Sequence, residues 1–237
     1  RDRSPSRGLG DVYKRQTSYR KQASETMKEE YEQYAGDADK LKALFQKGLD
    51  ELGITDKPED ITITLLSQGS ATENQLEREY LQQSISQNLG VKVELNTVGD
   101  YQMFANERDN KNYDIFVGGW FSDYNDPLDF LNVMKTGVYD SYGLYSNSEY
   151  DSLIDSLTGE NDNAKRLEIY QKLEDLLVAQ DCGVAPLYYS DKHYYYQNWV
   201  KDFYTSSFGA SQELYRASVQ KLSLIHISEP TRRTPIS

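Results

Sequence analysis

The segment GGWFSDYNDP, residues 118–127, carries the side chains of this sequence that are best suited to binding chemistry. Trp120 offers a large aromatic face, and the carboxylates of Asp123 and Asp126 follow it closely. An aromatic ring beside a carboxylate can hold an ammonium group through a cation–π attraction and a charge-assisted hydrogen bond. Asp126 precedes Pro127 and is predicted to cap the next helix. Asp123 is not placed to cap a helix, and it is therefore the predicted ligand contact.

The elements that must position these side chains follow from the pattern of apolar residues upstream. Predicted strands, rich in β-branched and apolar residues, lie at 61–66, 91–95 and 113–118. Predicted helices, each with an apolar stripe, lie at 31–52, 72–89 and 100–108. Strands that alternate with helices at this spacing predict an α/β fold with a parallel, helix-covered sheet. Because ligands bind beyond the carboxyl ends of the strands in such sheets, the predicted site follows the strand that ends at residue 118.

The chain downstream of this segment is predicted to be mainly helical at first. Apolar residues at helical spacing indicate helices at 128–135, 148–157 and 164–180. Short runs at 184–190 and 193–196 are rich in aromatic and β-branched residues and are predicted strands. Glycine, serine and aromatic residues from position 198 onward indicate irregular structure.

Both ends of the chain differ in composition from its acidic middle. Residues 6–16 resemble the translation of a transposase adapter used in sequencing libraries, and residues 222–232 resemble a translation of its reverse complement. We therefore expect residues 1–16 and 222–237 to be non-native tails outside the fold. The rest of the chain holds 19 Lys and Arg against 35 Asp and Glu, a net charge of −16. Such an acidic surface disfavours nucleic acid as a partner.

Residue usage limits the kinds of site that the chain can contain. One cysteine, Cys182, excludes an internal disulfide and a site with several cysteine ligands, and it is predicted to be a buried core thiol. No apolar run reaches the ~20 residues that a membrane-spanning helix needs. The sequence has 20 Tyr against 7 Phe and 2 Trp, which suits a hydrated binding cleft as well as the edge of a core.

The stretch YDIFVGGWFSDYNDPLDFL resembles the Y-D-x-x-x-x-G-W-x-x-D-Y-x-D/E-P-x-x-F-L signature of the oligopeptide/dipeptide-binding family of solute receptors. The upstream NLGVKVEL and the downstream YSNSEYDSLID, AKRLEIYQKLE and VAPLYY are similar to further family segments in the same order. The resemblance covers nearly all of residues 17–219. It implies a type II periplasmic-binding-protein fold, in which two lobes close on a ligand by a hinge movement. Residues 17–189 would form the second lobe, and residues 190–221 would return to the first.

The resemblance also implies roles for individual side chains. Asp123 matches the motif aspartate and would pair with the α-ammonium of a peptide, while Trp120 would line the cleft beside it. Tyr188 and Tyr189 match the aromatic pair after the proline on the return strand of the family and would face the ligand near the hinge. The candidate ligand-binding residues are Gly119, Trp120, Asp123, Tyr124, Tyr188 and Tyr189. Some relatives carry a basic residue three positions before the tryptophan, but here that position is Val117, which puts recognition of the peptide carboxylate by that route in doubt.

A receptor of this family would be extracytoplasmic, in the periplasm or at the cell surface. Its expected partners are an oligopeptide ligand and the permease subunits of an ABC importer, with no cofactor. Contact with the membrane would be only through a lipid anchor upstream of this sequence.

Three other functions compete with peptide capture. An enzyme is disfavoured because His193 is the only histidine outside the two tails, and no G-x-S-x-G, Walker or H-E-x-x-H motif is present. A metal-complex receptor is disfavoured because one histidine and one cysteine supply few soft ligands. A receptor of the same fold for a glycan would use Trp120 and the tyrosines for stacking, whereas Asp123 favours an amine.

Overall fold

A computed structural model describes residues 32–69, 72–124, 126–138, 145–188, 193–205 and 214–220, with only the backbone at 72 and 73. The two predicted tails at 1–16 and 222–237 lie outside these ranges, as does Tyr189. Among the residues described, no helix combines the length and apolar character needed to cross a membrane.

A three-stranded parallel sheet forms the first part of the fold, as predicted. Its elements in chain order are α1 (Ala38–Leu52), β1 (Thr62–Gln68), α2 (Thr72–Leu89), β2 (Lys92–Val98), α3 (Tyr101–Asp109) and β3 (Ile115–Val117). The strand order is β2–β1–β3, with Leu65 of β1 in register with Leu95 of β2 and Ile115 of β3. All three carboxyl ends therefore point toward the same edge of the sheet.

Helices cover both faces of this sheet. Leu65 and Leu66 of β1 are almost fully buried, and they point to opposite faces because side chains alternate along a strand. The Leu65 face packs against apolar residues of α1 and α2 such as Phe45 and Ile85. The Leu66 face packs against Phe104 of α3 and further aromatic side chains. A β1 strand buried on both sides is typical of a parallel sheet.

A helical layer follows the sheet and has its own apolar core. Its elements are α4 (Leu128–Leu131), a 3-10 turn (Asn132–Met134), α5 (Ser148–Ser156) and α6 (Asn163–Glu174), which continues as a π-helix (Asp175–Gln180). Tyr150, Tyr170 and Leu173 are buried at its centre. The Tyr150 hydroxyl donates a hydrogen bond of 2.7 Å to the Leu131 carbonyl, which joins α5 to α4.

The helix predicted at 31–52 is interrupted within the described residues, because residue 32 is helical, residues 33–36 form turns and α1 begins at Ala38. Gly36 has a φ of 73°, which interrupts a right-handed helix, and the chain then starts again at an N-cap. The Asp37 carboxylate accepts a hydrogen bond of 3.1 Å from the Lys40 backbone N–H and so caps α1. Gly53, with a φ of 69°, ends α1 at the predicted position.

The segment after the π-helix differs from its prediction. The strands predicted at 184–190 and 193–196 are absent over the described residues, and the extended regular structure here is a short antiparallel pair, β4 (Val200–Lys201) and β5 (Ser218–Val219). Cys182 is exposed rather than buried, and it lies where the chain leaves the π-helix, with a backbone φ of 51°. Leu187 and Tyr188 are also exposed, so no apolar layer supports a strand at this point.

Candidate functional site

A cavity of about 370 Å³ opens at the carboxyl ends of β1 and β3. The lining residues come from the end of β1, from α3 and from the loop after β3: Gln68, Tyr101, Phe104, Arg108, Val117, Gly118, Gly119, Trp120, Phe121 and Asp123. Three of the six predicted site residues, Gly119, Trp120 and Asp123, thus share one cavity. This is the sheet edge at which a ligand was predicted to bind.

Local backbone features create the wall of this cavity. Gly118 lies so close to the Phe116 ring that an added Cβ would be only 2.6 Å from Phe116 Cε2, so a side chain here would require the Phe116 ring to move. The carbonyl of Gln68, at the end of β1, accepts a hydrogen bond of 3.0 Å from Nη1 of the buried Arg78. Asp100 caps α3 through a hydrogen bond of 2.8 Å from the Gln102 N–H.

The loop that carries Asp123 is held by its backbone. The Asp123 N–H donates a hydrogen bond of 2.7 Å to Oδ2 of Asp129, whose side chain is buried. The Ser122 hydroxyl donates to the Tyr124 carbonyl. The Asp123 side chain itself is exposed at the cavity, and among the described residues no Lys or Arg lies within ion-pairing distance of its carboxylate. The loop therefore holds the backbone of Asp123 and leaves its carboxylate accessible to a cation.

Asp126 caps the following helix, as predicted. Its Oδ1 accepts a hydrogen bond of 2.9 Å from the Leu128 N–H. Its carboxylate also forms an ion pair of 2.9 Å with Arg166 and accepts a hydrogen bond of 2.6 Å from the Tyr170 hydroxyl. Asp126 is thus a structural group with partners on α6, and its role differs from that of Asp123.

Arg108 lines the cavity with a cationic side chain, but the sequence did not identify it as a site residue. Arg108 is 7% exposed, and its guanidinium lies 5.8 Å from the centre of the Phe104 ring and 3.3 Å from Asp109 Oδ1. The available signal was the i, i+4 spacing of Phe104 and Arg108 on α3, which places both on the same face of a helix. The cavity therefore has an arginine as well as a carboxylate in its lining, while Val117 contributes an apolar surface.

The structure does not bring the remaining candidates to this cavity. Tyr124 and Tyr188 are exposed and are not among the described residues that line it. The nearby Glu77 carboxylate on α2, which favours the protonated hydroxyl, raises the pKa of Tyr188 together with partial burial. Tyr189 lies outside the described residues.

Known proteins resemble this chain in sequence and in structure. Residues 9–141 match the model of the family described as bacterial extracellular solute-binding proteins, family 5, middle region. The oligopeptide-binding protein OppA of Bacillus subtilis (strain 168) is 30% identical over 168 residues, which are 70% of this chain and 29% of that protein.

Two solved structures have the same fold over most of the chain. The substrate-binding domain of an oligopeptide ABC transporter from Bacillus anthracis str. Ames is 29% identical, with a TM-score of 0.66 over 78% of this chain and 35% of that one. Listeria monocytogenes OppA bound to peptide is 26% identical, with a TM-score of 0.66 over 78% of this chain and 34% of that one. The chain spans about a third of the length of each of these three proteins.

Proposed function

This chain belongs to family 5 of the bacterial extracellular solute-binding proteins, and we propose that it forms most of the second lobe of an oligopeptide receptor for an ABC importer. Its fold is part of the type II periplasmic-binding-protein fold. Because the family consists of solute-binding proteins, the role of this chain is binding rather than catalysis.

The observation that carries the peptide assignment is the pairing of Trp120 with Asp123 at one cavity. The Asp123 carboxylate would receive the α-ammonium of a peptide, and the Trp120 ring would cover one side of that group. A receptor that must accept many sequences has to bind what all peptides share, which is a charged terminus and an extended backbone. Side chains can then occupy hydrated space in which water adapts to each of them.

The arginine that lines the cavity fits the same proposal. A peptide backbone leads away from its ammonium group toward carbonyl oxygens and finally a carboxylate, and Arg108 is a buried donor in the lining. Val117 leaves the position three residues before Trp120 without a charge, so the arginine of this cavity comes from α3 instead.

In this proposal residues 17–189 belong to the second lobe and residues 190–221 return to the first. The exposure of large aromatic side chains in the return segment supports it, since Tyr195 is 95% exposed and Tyr215 is 74% exposed. The complete receptor would be extracytoplasmic, would be tethered by a lipid anchor, and would deliver peptide to permease subunits.

The test is calorimetry on a full-length receptor that carries both lobes, with oligoalanine peptides from tripeptide to pentapeptide, free and N-acetylated. Acetylation removes the ammonium charge, and the substitution Asp123→Asn removes the carboxylate charge. We expect each change to weaken binding by at least about tenfold, because hydrogen bonds to charged groups contribute roughly 1.5–3 kcal/mol.

The two changes should not be additive, because they remove the same pair of charges. Acetylation should therefore cost little affinity in the Asp123→Asn receptor. Asp50→Asn is the matched control, because Asp50 is an exposed carboxylate on α1 that bonds to the Gln46 side chain. Equal binding of free and acetylated peptides by the unsubstituted receptor would refute the role of Asp123, and binding of a sugar but no peptide would favour a glycan receptor.

A further inference from the structure

We propose that Tyr170 and Arg166 of α6 are positioning residues for the ligand-binding loop, which they hold in place through Asp126. This inference rests on the proposed function of the loop. The Tyr170 hydroxyl donates to Asp126 Oδ1 at 2.6 Å, and Arg166 Nη2 lies 2.9 Å from Asp126 Oδ2. Both Asp126 oxygens therefore contact residues of α6 that lie 40 and 44 positions further along the chain.

A continuous series of contacts leads from these two residues to Asp123. The Asp126 oxygen that accepts from Tyr170 also accepts from the Leu128 N–H, so α6 fixes the first turn of α4. Asp129 lies on that same turn, and its buried carboxylate accepts the N–H of Asp123. Displacement of the Asp126 carboxylate would therefore move the turn that sets the backbone position of Asp123.

The α6 end of this series is itself rigid. Tyr170 is 1% exposed, so its ring has no room to rotate away from Asp126. Arg166 Nη1 donates to the carbonyls of Leu157 and Glu160 at 3.1 and 3.2 Å, which fixes the guanidinium to the turn between α5 and α6. A planar guanidinium held on one edge can present its other edge to a carboxylate in a single orientation.

Tyr170, Arg166 and Asp126 would affect ligand binding through the geometry of one hydrogen bond, the one between Asp123 and the ammonium group of the peptide. A charge-assisted hydrogen bond between Asp123 and an ammonium group weakens steeply when its distance or angle changes. Loss of the Tyr170 hydroxyl should therefore reduce the affinity for free peptides and leave the affinity for N-acetylated peptides almost unchanged. A residue with only a structural role would lower the melting temperature without changing the ratio of these two affinities.

The experiment compares Tyr170→Phe with Tyr145→Phe in the full-length receptor, with the oligoalanine peptides used above. Tyr145 also donates a hydrogen bond of 2.6 Å to a carboxylate, but its acceptor is Asp181, directly after the π-helix, and not a residue of the loop. In Tyr170→Phe we expect the preference for free over acetylated peptide to fall about fivefold, as the loss of one hydrogen bond predicts. In Tyr145→Phe we expect the preference to be retained.

Asp126→Asn serves as the second variant, since an amide oxygen can still cap α4 while the charge opposite Arg166 is lost. It should lower the same preference at least as far as Tyr170→Phe does. If the unsubstituted receptor prefers free peptide and both variants match Tyr145→Phe, the positioning role is refuted and the proposed function stands. If the unsubstituted receptor shows no preference, the proposed function fails, and this inference fails with it.

Discussion

The loop at 122–129 and the segment at 182–188 each carry predicted ligand-binding residues, and the chain holds them in different ways. In the loop, the Asp123 N–H is bonded to the buried Asp129, and Asp126 is bonded to α6. In the segment, Leu187 is 53% exposed and Tyr188 is 63% exposed.

This difference shows that the two regions are not held in place to the same degree by the rest of the chain. The loop lies between two apolar cores of the chain, and its polar groups find partners whose positions those cores fix. The segment begins where the π-helix ends; Val184 packs against the helical core, but Leu187 and Tyr188 further along are exposed. We infer that the backbone of Asp123 is preorganised by this chain alone, whereas Tyr188 takes its final position only when a further surface covers it.

The largest expected effect contrasts the same substitution in the two regions. Leu173→Ala removes a side chain with no exposed surface from the helical core, and it should lower the free energy of unfolding by about 2–5 kcal/mol. Leu187→Ala removes a half-exposed side chain from the segment and should change that free energy by less than about 0.5 kcal/mol. Urea unfolding of the 237-residue chain measures both values. A similar loss in both variants would show that the segment is packed as tightly as the core.

A smaller effect is expected from the buried carboxylate of the loop. Asp129→Ala leaves the Asp123 N–H without its acceptor and should lower the free energy of unfolding by roughly 1.5–3 kcal/mol. Asp162→Ala is the matched control, because Asp162 accepts the Ala164 N–H at 2.9 Å as an exposed helix cap, for which a loss of about 1 kcal/mol is typical. Equal losses in the two variants would show that burial adds nothing to the bond that holds the loop.

The parallel sheet, its helices and the sheet edge at which the cavity lies could be predicted from the sequence, because each depends on local patterns. Alternating β-branched residues mark β1 and Gly53 marks a helix end, so short stretches of chain suffice to recognise them. The cap at Asp126 was predictable for the same reason, since it depends on residues 126–128 alone. Trp120 and Asp123 were predicted to be neighbours because one loop carries both.

Features that depend on distant parts of the chain were missed. Arg166 and Tyr170 reach Asp126 across 40 and 44 positions, and no local pattern reports such a contact. Arg108 reads as an ordinary polar residue of α3 until the fold places it beside β3. The strands predicted at 184–190 and 193–196 were wrong because a local pattern is not enough to form a strand. Their aromatic residues suit a strand, but no neighbouring strand pairs with them among the described residues.

The smallest expected effect tests whether the exposed aromatic residues belong to a surface that another lobe covers. The ring centre of Phe203 lies 6.2 Å from that of Tyr194 and 5.2 Å from that of Tyr196. Tyr195, between these two tyrosines in the sequence, is 95% exposed. Tyr195→Ser should change the free energy of unfolding of the 237-residue chain by less than about 0.5 kcal/mol. In a full-length receptor with both lobes it should cost about 1–3 kcal/mol, because the ring would be buried there.

Tyr80→Ser on α2, where the ring is 69% exposed, is the control and should have little effect in either protein. A Tyr195→Ser cost that is equally small in the full-length receptor would place Tyr195 on an open surface and would contradict the return of residues 190–221 to a first lobe.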